Sequence, residues 1–521
     1  FALYVTDSWK IHPRLTLNLG LRWDYFGVQH NKDQSLDSNF YYGPGATIEE
    51  QVANGSVLLA ADSPDGRLWR QDWNNFGPRV GIAWDVFGDG KTSLRGGYGI
   101  SYERNFGNVT FNVIQNPPNY AVVSLSPAGG APIITDPLGP FSGTGQATIP
   151  RTSLRHVDQN INTAYAHFWS AALEHEFMGS LVASIEYSGS HGVDLYSIVR
   201  RNLPGSAVAY NLPFTPGAIP NVQPSNGSAY SNPRYGLINT RASDGRSNYH
   251  GVTFGLDSRQ IGETGLQFQA KYTWSHALDN LSSTFSESGN NFNLGYLDPN
   301  NPDLDYGSSD FDVRHRFVSS GIWDIPFAKS ADGWEKHVLD GWQITYIFTA
   351  RTGSPFTVFD CTNAVFVACP RLSTTGGLQT EGSSNPRETP GENPNVFNYI
   401  DLTNQLGQIG TATGNAAVNE YFGLPVGDYG PFPSNMIGRN TFKSPGFWNV
   451  DGGVYKNFEF TERYGLQFRA EFYNVFNHAN LFVNGGNADI SLFNSGVAAD
   501  EIVTASKAGR RQVQLALKFI F

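Results

Sequence analysis

The sequence is short of charge, of sulfur and of long apolar runs, and each shortage narrows the choice of protein class. Charged residues make up 16% of the 521 residues, and there are only two Cys and two Met; soluble domains usually carry about 25% charge. No run of about 18 apolar residues occurs, so no transmembrane helix is predicted, but a membrane-spanning β-strand needs only about 9–11 residues. The net charge is -11 without a basic block, so nucleic acid is not a predicted partner.

What the sequence has instead is alternation of apolar and polar residues. In the last segment, residues 511–521, this alternation gives the strand two different faces. Taken alone, the segment fits a soluble sheet and a membrane barrel equally well. Its apolar face consists of Val513, Leu515, Leu517, Phe519 and Phe521.

The same alternation recurs along the chain and predicts 13 strands. The connectors between them alternate strictly between tight turns and long loops, so all the long loops lie at one end of an antiparallel sheet. Outer-membrane barrels have this asymmetry, with short periplasmic turns and long extracellular loops, whereas compact soluble domains have short connections at both ends. We therefore predict an all-β, antiparallel transmembrane β-barrel. The predicted strands are 1–10, 14–27, 78–87, 92–103, 164–177, 180–190, 248–259, 264–276, 314–326, 339–351, 447–460, 464–478 and 511–521.

An odd number of strands does not fit a closed bacterial barrel, which has an even number. The chain also starts at Phe1, already inside a strand-like pattern and without an initiator Met. We therefore interpret residues 1–521 as the carboxy-terminal part of a longer barrel of which at least one strand is missing.

Several strand motifs resemble the barrel of TonB-dependent outer-membrane transporters of Gram-negative bacteria, in particular the Oar-like branch. The resemblance covers most of the strands and little of the loops. The motifs are YVTDSWKIHPRLTLNLGLRWDYF (4–26), NNFGPRVGIAWDVFGDGKTSLRGGYGISYER (74–104), YTWSHALDN (272–280), SDFDVRHRFVSSGIWDIPF (309–327), GWQITYIFTARTGSPFTV (341–358), LQFRAEFYNVFNHANLF (466–482) and the terminal QVQLALKFIF.

This resemblance implies a 22-stranded barrel with an amino-terminal plug and an additional amino-terminal domain, which are absent here, so that about nine strands would be missing. The implied partners are the lipid bilayer with its lipopolysaccharide, the TonB complex acting through the missing plug, and an unknown extracellular substrate. The barrel-assembly machinery would read the terminal strand, with Phe521, as an assembly signal.

Two sets of residues are candidates for specific roles. Cys361 and Cys369 share one long loop, where a local disulfide is the favoured reading in an oxidising compartment; free thiols or a metal site are the alternatives. Polar residues on the inward faces of the strands could line a solute path, or could contact the plug or water in the lumen. These lumen-facing candidates are Arg22, Asp24, Glu186, Lys271, Arg469, Glu471 and Lys518.

Other loop residues allow two readings each. The Asp-rich run at 298–312 suggests Ca²⁺ ligation by its oxygen donors, but a solvated loop is the favoured reading. Aromatic loop residues could stack on a sugar or peptide, or could pack loop on loop. They are Tyr41, Tyr42, Trp69, Trp73 and Tyr399.

No catalytic triad, phosphate-binding loop or zinc spacing stands out, so no enzyme activity, cofactor or metal is predicted. We expect a receptor and transporter for an extracellular substrate. The alternatives are an outer-membrane anchor with adhesive loops, a passive channel and a secreted soluble β-protein.

Overall fold

The computed structural model describes most of the strands and part of the long loops. The described residues are 1–104, 107, 116–118, 151–177, 180–213, 229–259, 261–284, 296–326, 333–359, 371–372, 387–388, 396–400, 436–461, 463–483, 488 and 503–521.

The described chain is built almost entirely of β-strands. In the first half the strands are β1 (Ala2–His12), β2 (Leu15–Asp24), β3 (Ser38–Tyr41), β4 (Ser56–Leu59), β5 (Phe76–Asp85), β6 (Thr92–Tyr102), β7 (Leu154–Val157), β8 (Tyr165–Phe177), β9 (Leu181–Arg201), β10 (Ile238–Ser258) and β11 (Leu266–Asp279). In the second half they are β12 (Gly307–Ser308), β13 (His315–Asp324), β14 (Trp342–Arg351), β15 (Pro355–Phe356), β16 (Arg387–Glu388), β17 (Val396–Ile400), β18 (Phe442–Lys443), β19 (Phe447–Glu459), β20 (Gly465–Tyr473), β21 (Asn480–Val483), β22 (Val503–Ala508) and β23 (Gln512–Ile520).

The helices are short and lie between the strands. The described α-helices are Ile48–Asn54, Ser206–Ala209 and Trp334–Leu339, and 3-10 turns form at Gln34–Leu36, Ala60–Asp62 and Pro302–Asp305. None of the helices in the described part of the chain has the length and apolar character needed to cross a membrane.

One large sheet confirms the predicted antiparallel architecture. Its path runs β1-β2-β5-β6-β8-β9-β10-β11-β13-β14-β19-β20-β23, and the short strands β7 and β12 attach beside β10 and β11, which makes 15 strands. Each step along this path is antiparallel. The 13 strands predicted from alternation are the 13 strands of this path.

Two strands are much longer than the alternation predicted. The predicted strands 180–190 and 248–259 correspond to β9 and β10, which span 21 residues each, about twice what a bilayer requires. The additional residues come from the segment 191–247, which was interpreted entirely as a loop; that interpretation was wrong at both ends of the segment. Register shifts between Ala242 and Gly245 and between Gly245 and Ser247 break the simple alternation there.

The cross-strand registers divide the sheet into an apolar face and a polar face, since directly opposed residues point to the same side. One row on the apolar face joins Leu19, Val80, Tyr98 and Trp169 across four neighbouring strands. Large side chains of this face are exposed to the surroundings, 41% for Leu19 and 69% for Leu517. Such a face is suited to lipid rather than water.

The hydrophobic core lies in the long loops and not between the barrel strands. Within the described residues, buried apolar clusters join the first four loops. One cluster contains Ala60, Leu68, Trp69, Val157, Ile161, Ala164 and Tyr196, a second contains Phe40, Val52, Leu154 and Ile238, and a third contains Val199, Ala242 and Tyr296. We call this packed region, residues 34–72, 151–163, 193–213, 229–245 and 296–312, the loop cap.

Candidate functional site

The polar face of the sheet carries all seven lumen-facing candidates. The cross-strand registers place these seven residues on one side of the sheet, opposite the side that carries Leu19 and Leu517. The residues are Arg22, Asp24, Glu186, Lys271, Arg469, Glu471 and Lys518. Their role along a solute path stays a prediction.

Some of these side chains are already paired. The Arg22 guanidinium donates two hydrogen bonds of 2.8 Å to the Asp24 carboxylate, and the Tyr455 hydroxyl donates to Glu471 at 3.0 Å. The Nε atom of Arg469 donates to the Gln467 side-chain oxygen at 2.6 Å. These contacts hold the charges in fixed positions on the barrel wall.

Three other charges on the same face are not paired. Within the described residues, the side chains of Glu186, Lys271 and Lys518 make no hydrogen bond or ion pair, in contrast to those of Arg22 and Asp24. A charge without a protein partner is available to water, to a solute or to another protein segment. The polar face therefore combines fixed and available charges of both signs.

The loop cap is assembled around aromatic contacts between different loops. The Phe40 ring of the first loop meets the rings of His156 and Tyr235 edge to face, with centroids 5.4 and 5.9 Å apart. Tyr42 contacts the same His156 ring at 4.9 Å. Phe40 and His156 are fully buried, so three loops share one interior.

A buried charged pair also joins these loops. Glu49, in the helix of the first loop, lies 3.9 Å from Arg201 at the end of β9. Asn300, in the fourth loop, donates to the Glu49 carboxylate at 3.2 Å and accepts from Arg201 at 2.8 Å. Ser231 donates to the second carboxylate oxygen of Glu49 at 3.0 Å. Burial raises the pKa of Glu49, and the positive charge of Arg201 opposes that rise.

Buried asparagine side chains donate hydrogen bonds to backbone carbonyls of the loops that are not paired in a β-sheet. The Asn39 amide donates to the carbonyls of Leu68 and Val157 at 3.0 and 2.8 Å. The Asn232 amide donates to the carbonyls of Val52 and Gly55 at 2.9 and 3.0 Å. Buried carbonyls need such partners, so these side chains fix the loops relative to one another. The sequence analysis missed them, although the abundance of Asn in the loops was a usable signal.

The loop aromatics divide between the two predicted roles. Tyr41 and Trp69 are 4% exposed and pack within the cap. Trp73 is 54% exposed and stacks on Tyr25 with ring centroids 3.9 Å apart. Tyr42 packs against His156 as described above, and the side chain of Tyr399 lies outside the described residues. Of the four members whose side chains are described, Trp73 alone presents a large exposed ring, and that ring also stacks on Trp23, with centroids 6.2 Å apart, on the side of β2 that carries Leu19.

The solvated loop that was favoured for the Asp-rich run was wrong for three of its five aspartates, whereas Asp303 is exposed. Asp305, Asp310 and Asp312 are at most 9% exposed, because arginines and backbone amides neutralise them. Asp305 forms an ion pair of 2.5 Å with Arg371, and Asp312 lies 3.5 Å from Arg314. In the described part of the chain, no group of three or more His, Cys, Asp or Glu side chains is arranged to hold a metal ion.

The two remaining predictions concern the cysteines and the terminal strand. Cys361 and Cys369 lie outside the described residues, so their disulfide stays a prediction. Val513, Leu515, Leu517 and Phe519 of β23 lie on the apolar face and are more than half exposed, and Phe521 is 84% exposed. Their role as an assembly signal also stays a prediction.

A family model decides the protein class. The model described as "Outer membrane beta barrel domain" matches residues 1–514. The chain belongs to this family. This outer membrane β-barrel therefore resides in the cell outer membrane, and its apolar face is the lipid-facing surface. No curated protein matches the sequence significantly.

Solved structures similar to this β-barrel are outer-membrane transporters and receptors at low identity. The transporter YddB from Escherichia coli is 12% identical with a TM-score of 0.46; the match covers 100% of this chain and 44% of that one. The siderophore receptor PirA from Acinetobacter baumannii is 11% identical with a TM-score of 0.42, covering 100% and 45%. The ferripyoverdine receptor of Pseudomonas aeruginosa is 11% identical with a TM-score of 0.40, covering 99% and 38%. The chain spans less than half the length of each.

Proposed function

We propose that this chain is the barrel part of an outer-membrane receptor and transporter that takes up an extracellular substrate. The observation that carries the proposal is the preassembled loop cap. It lies at the long-loop end of a sheet that has a polar face opposite its lipid-facing surface. A binding surface built on packed, hydrogen-bonded loops loses little conformational entropy when it captures a ligand. The unpaired Glu186, Lys271 and Lys518 then offer charges along the route beyond the cap.

TonB-coupled gating by a plug is the energy source in this proposal. Its support is the resemblance of the strand motifs to TonB-dependent transporters, with the plug expected outside residues 1–521. The chemical class of the substrate stays open among siderophores, oligosaccharides and peptides.

The proposal is tested with the full-length gene in cells with and without TonB. Labelled ferric siderophores, oligosaccharides and peptides are offered separately, and surface binding and internalisation are measured apart. Internalisation that requires TonB supports the proposal. Binding without internalisation would instead indicate an anchor with adhesive loops, and internalisation independent of TonB would indicate a passive channel.

Two variants test whether uptake of the substrate depends on the polar face. Lys271→Gln removes an unpaired charge from this face, whereas Leu173→Val changes the lipid-facing side of a neighbouring part of the sheet. Under the proposal, the first variant changes the uptake rate while surface binding by the cap is retained, and the second changes neither. Equal uptake by wild type and Lys271→Gln would count against this residue as part of the route.

A further inference from the structure

Two histidines stand directly opposite each other on the neighbouring strands β8 and β9. The antiparallel register pairs His167 of β8 with His191 of β9. Their imidazole rings are nearly parallel, with an interplanar angle of 22° and centroids 6.0 Å apart. Both residues are half-buried, so the surrounding medium reaches them. We call these two residues the histidine pair.

The histidine pair lies on the outer side of the barrel wall, at the long-loop end. His167 is on the same face as Trp169, two residues further along β8, and Trp169 belongs to the row that begins at Leu19. On β9, the segment 181–191 already has the length of about 9–11 residues that crosses a bilayer. The pair therefore lies where β9 leaves the bilayer and continues into the loop cap.

The hydrogen bonds of His191 fix its tautomer. Within the described residues, the ring bonds through Nδ1, to the Ser247 carbonyl oxygen at 3.1 Å and to the Asn248 side-chain oxygen at 2.8 Å. Both partners are acceptors, so Nδ1 carries the proton and Nε2 carries a lone pair. The Asn248 amide nitrogen donates to the Tyr306 hydroxyl at 2.8 Å, which turns the amide oxygen towards His191.

The ring of His167 is held from the opposite side. Its Nδ1 atom lies 2.7 Å from the Tyr98 hydroxyl of β6. A tyrosine hydroxyl can accept the Nδ1 proton, and this tautomer has its lone pair on Nε2. In metal sites, a hydrogen bond from the second ring nitrogen fixes the tautomer and the orientation of a ligating imidazole in the same way.

These hydrogen bonds turn the two Nε2 atoms towards each other. Nδ1 of His167 faces β6 and Nδ1 of His191 faces β10, the strands that flank β8 and β9. Because Nδ1 and Nε2 lie on opposite edges of an imidazole, each Nε2 points into the space between β8 and β9. Two imidazoles on one tetrahedral ion, with bonds of about 2.0–2.1 Å, have centroids about 5 Å apart. The observed separation of 6.0 Å is within about 1 Å of this value.

We propose that the histidine pair binds a divalent transition-metal ion that prefers imidazole ligands, such as Zn²⁺ or Cu²⁺. The Nε2 atoms of His167 and His191 are the two protein ligands, and water completes the coordination. A two-histidine site is smaller than the groups of three or more side chains considered above. The bound ion joins β8 to β9 at the base of the loop cap. This inference does not depend on the proposed transport function.

His175 of the same strand provides a matched control. It lies on the same face of β8 as His167, and its Nδ1 atom also meets a hydroxyl group of β6, that of Thr92, at 2.8 Å. The register, however, places Ala183 of β9 opposite it. His175 therefore shares the strand, the face and the hydrogen bond of His167, but no second imidazole stands across from it.

The test measures Cu²⁺ binding by calorimetry, with the full-length protein purified in detergent without a histidine tag. Cu²⁺ binds nitrogen ligands more tightly than the other first-row divalent ions do. Loss of a hydrogen bond to a ligating imidazole already weakens metal binding by about 10–100-fold. We therefore expect Tyr98→Phe to weaken binding by about tenfold. His167→Gln and His191→Gln, which each remove a ligand, should weaken it further, and His175→Gln should leave it unchanged.

Electron paramagnetic resonance of the bound Cu²⁺ supplies a readout that needs no variant. Wild type should show coupling to two imidazole nitrogens, and His167→Gln or His191→Gln should show coupling to one. A wild-type spectrum without imidazole coupling would overturn the proposal, as would equal Cu²⁺ affinity of wild type and the double variant. An equal loss of affinity in His175→Gln would also overturn it, because it would indicate unspecific binding by surface imidazoles. Heat-dependent mobility on gels first verifies that each variant forms a folded barrel.

Discussion

Glu49 and Arg201 meet inside the loop cap at 3.9 Å, although 152 residues separate them in the sequence. Their side chains are 3% and 9% exposed. An ion pair at this depth is costly to form but more costly to break, because the partner that is left behind remains charged and desolvated. The pair therefore adds a buried charged contact to the aromatic and asparagine contacts that hold the first and third loops together.

Removal of this carboxylate should open the cap. We expect Glu49→Ala to lower the free energy of local opening by about 3–5 kcal/mol, since Arg201 would remain buried without its partner. Hydrogen exchange of amides in the Ile48–Asn54 helix measures this opening. The control is Asp65→Asn, which breaks the exposed Asp65–Arg70 pair at the same 3.9 Å and should change little. Equal exchange in the two variants would contradict the prediction.

Acidification should loosen the cap through His156. Burial is the main cause that holds the pKa of His156 well below 6.5, and Arg201 and Arg241 add to the effect. As the pH falls below about 6.5, His156 becomes protonated in the opened cap but stays neutral in the closed cap. The free energy that favours the closed cap therefore decreases by up to about 1.4 kcal/mol per pH unit.

The measurement for His156 is amide exchange between about pH 7.5 and 5, corrected for the intrinsic rates. His156→Gln, which keeps a partner for Thr240, should abolish this dependence. The raised pKa of Glu49 acts in the opposite direction, favouring closure as its carboxyl protonates at lower pH. The same pH dependence in wild type and His156→Gln would assign it to another group.

Adjacent positions of the terminal strand should respond differently to charge. Leu515 lies on the lipid-facing surface, whereas Gln514 opposes Glu471 on the polar face. Leu515→Arg should destabilise the barrel by about 2–4 kcal/mol if it lies near the bilayer midplane, and Gln514→Arg should be nearly neutral. Denaturant unfolding of the full-length protein in vesicles measures both, and a reversed order would invalidate the assignment of the faces.

Deletion of Phe521 should affect assembly more than stability. The ring is 84% exposed, with a stacking contact of 6.0 Å to Phe519, so its loss should cost less than about 0.5 kcal/mol once the barrel is folded. The level in the outer membrane should nevertheless fall if, as we propose, the terminal aromatic residue is recognised during insertion. Phe521→Tyr should restore the level; equal levels for the deletion and wild type would refute the assembly role.

The barrel wall was predictable and the loop cap was not. Strand alternation is a local property, and a lipid-facing surface enforces it at every second residue, as in Leu15 to Leu21 of β2. The cap depends on contacts such as Asn39 with Val157, 118 positions apart, which a local pattern does not contain. The buried Asp305 was assigned to solvent for the same reason, since its partner Arg371 follows 66 positions later.

The buried interior of the loop cap also limits how this protein can vary on the cell surface. An antibody or a phage approaches the exposed stretches, such as residues 44–47 and 64–67, and substitutions there alter what is seen without disturbing the packing beneath. Phe40 and Val52, which are completely enclosed, have no such freedom. Substitutions that allow escape from antibodies or phage should therefore accumulate in these exposed stretches, while the buried residues of the loop cap stay unchanged.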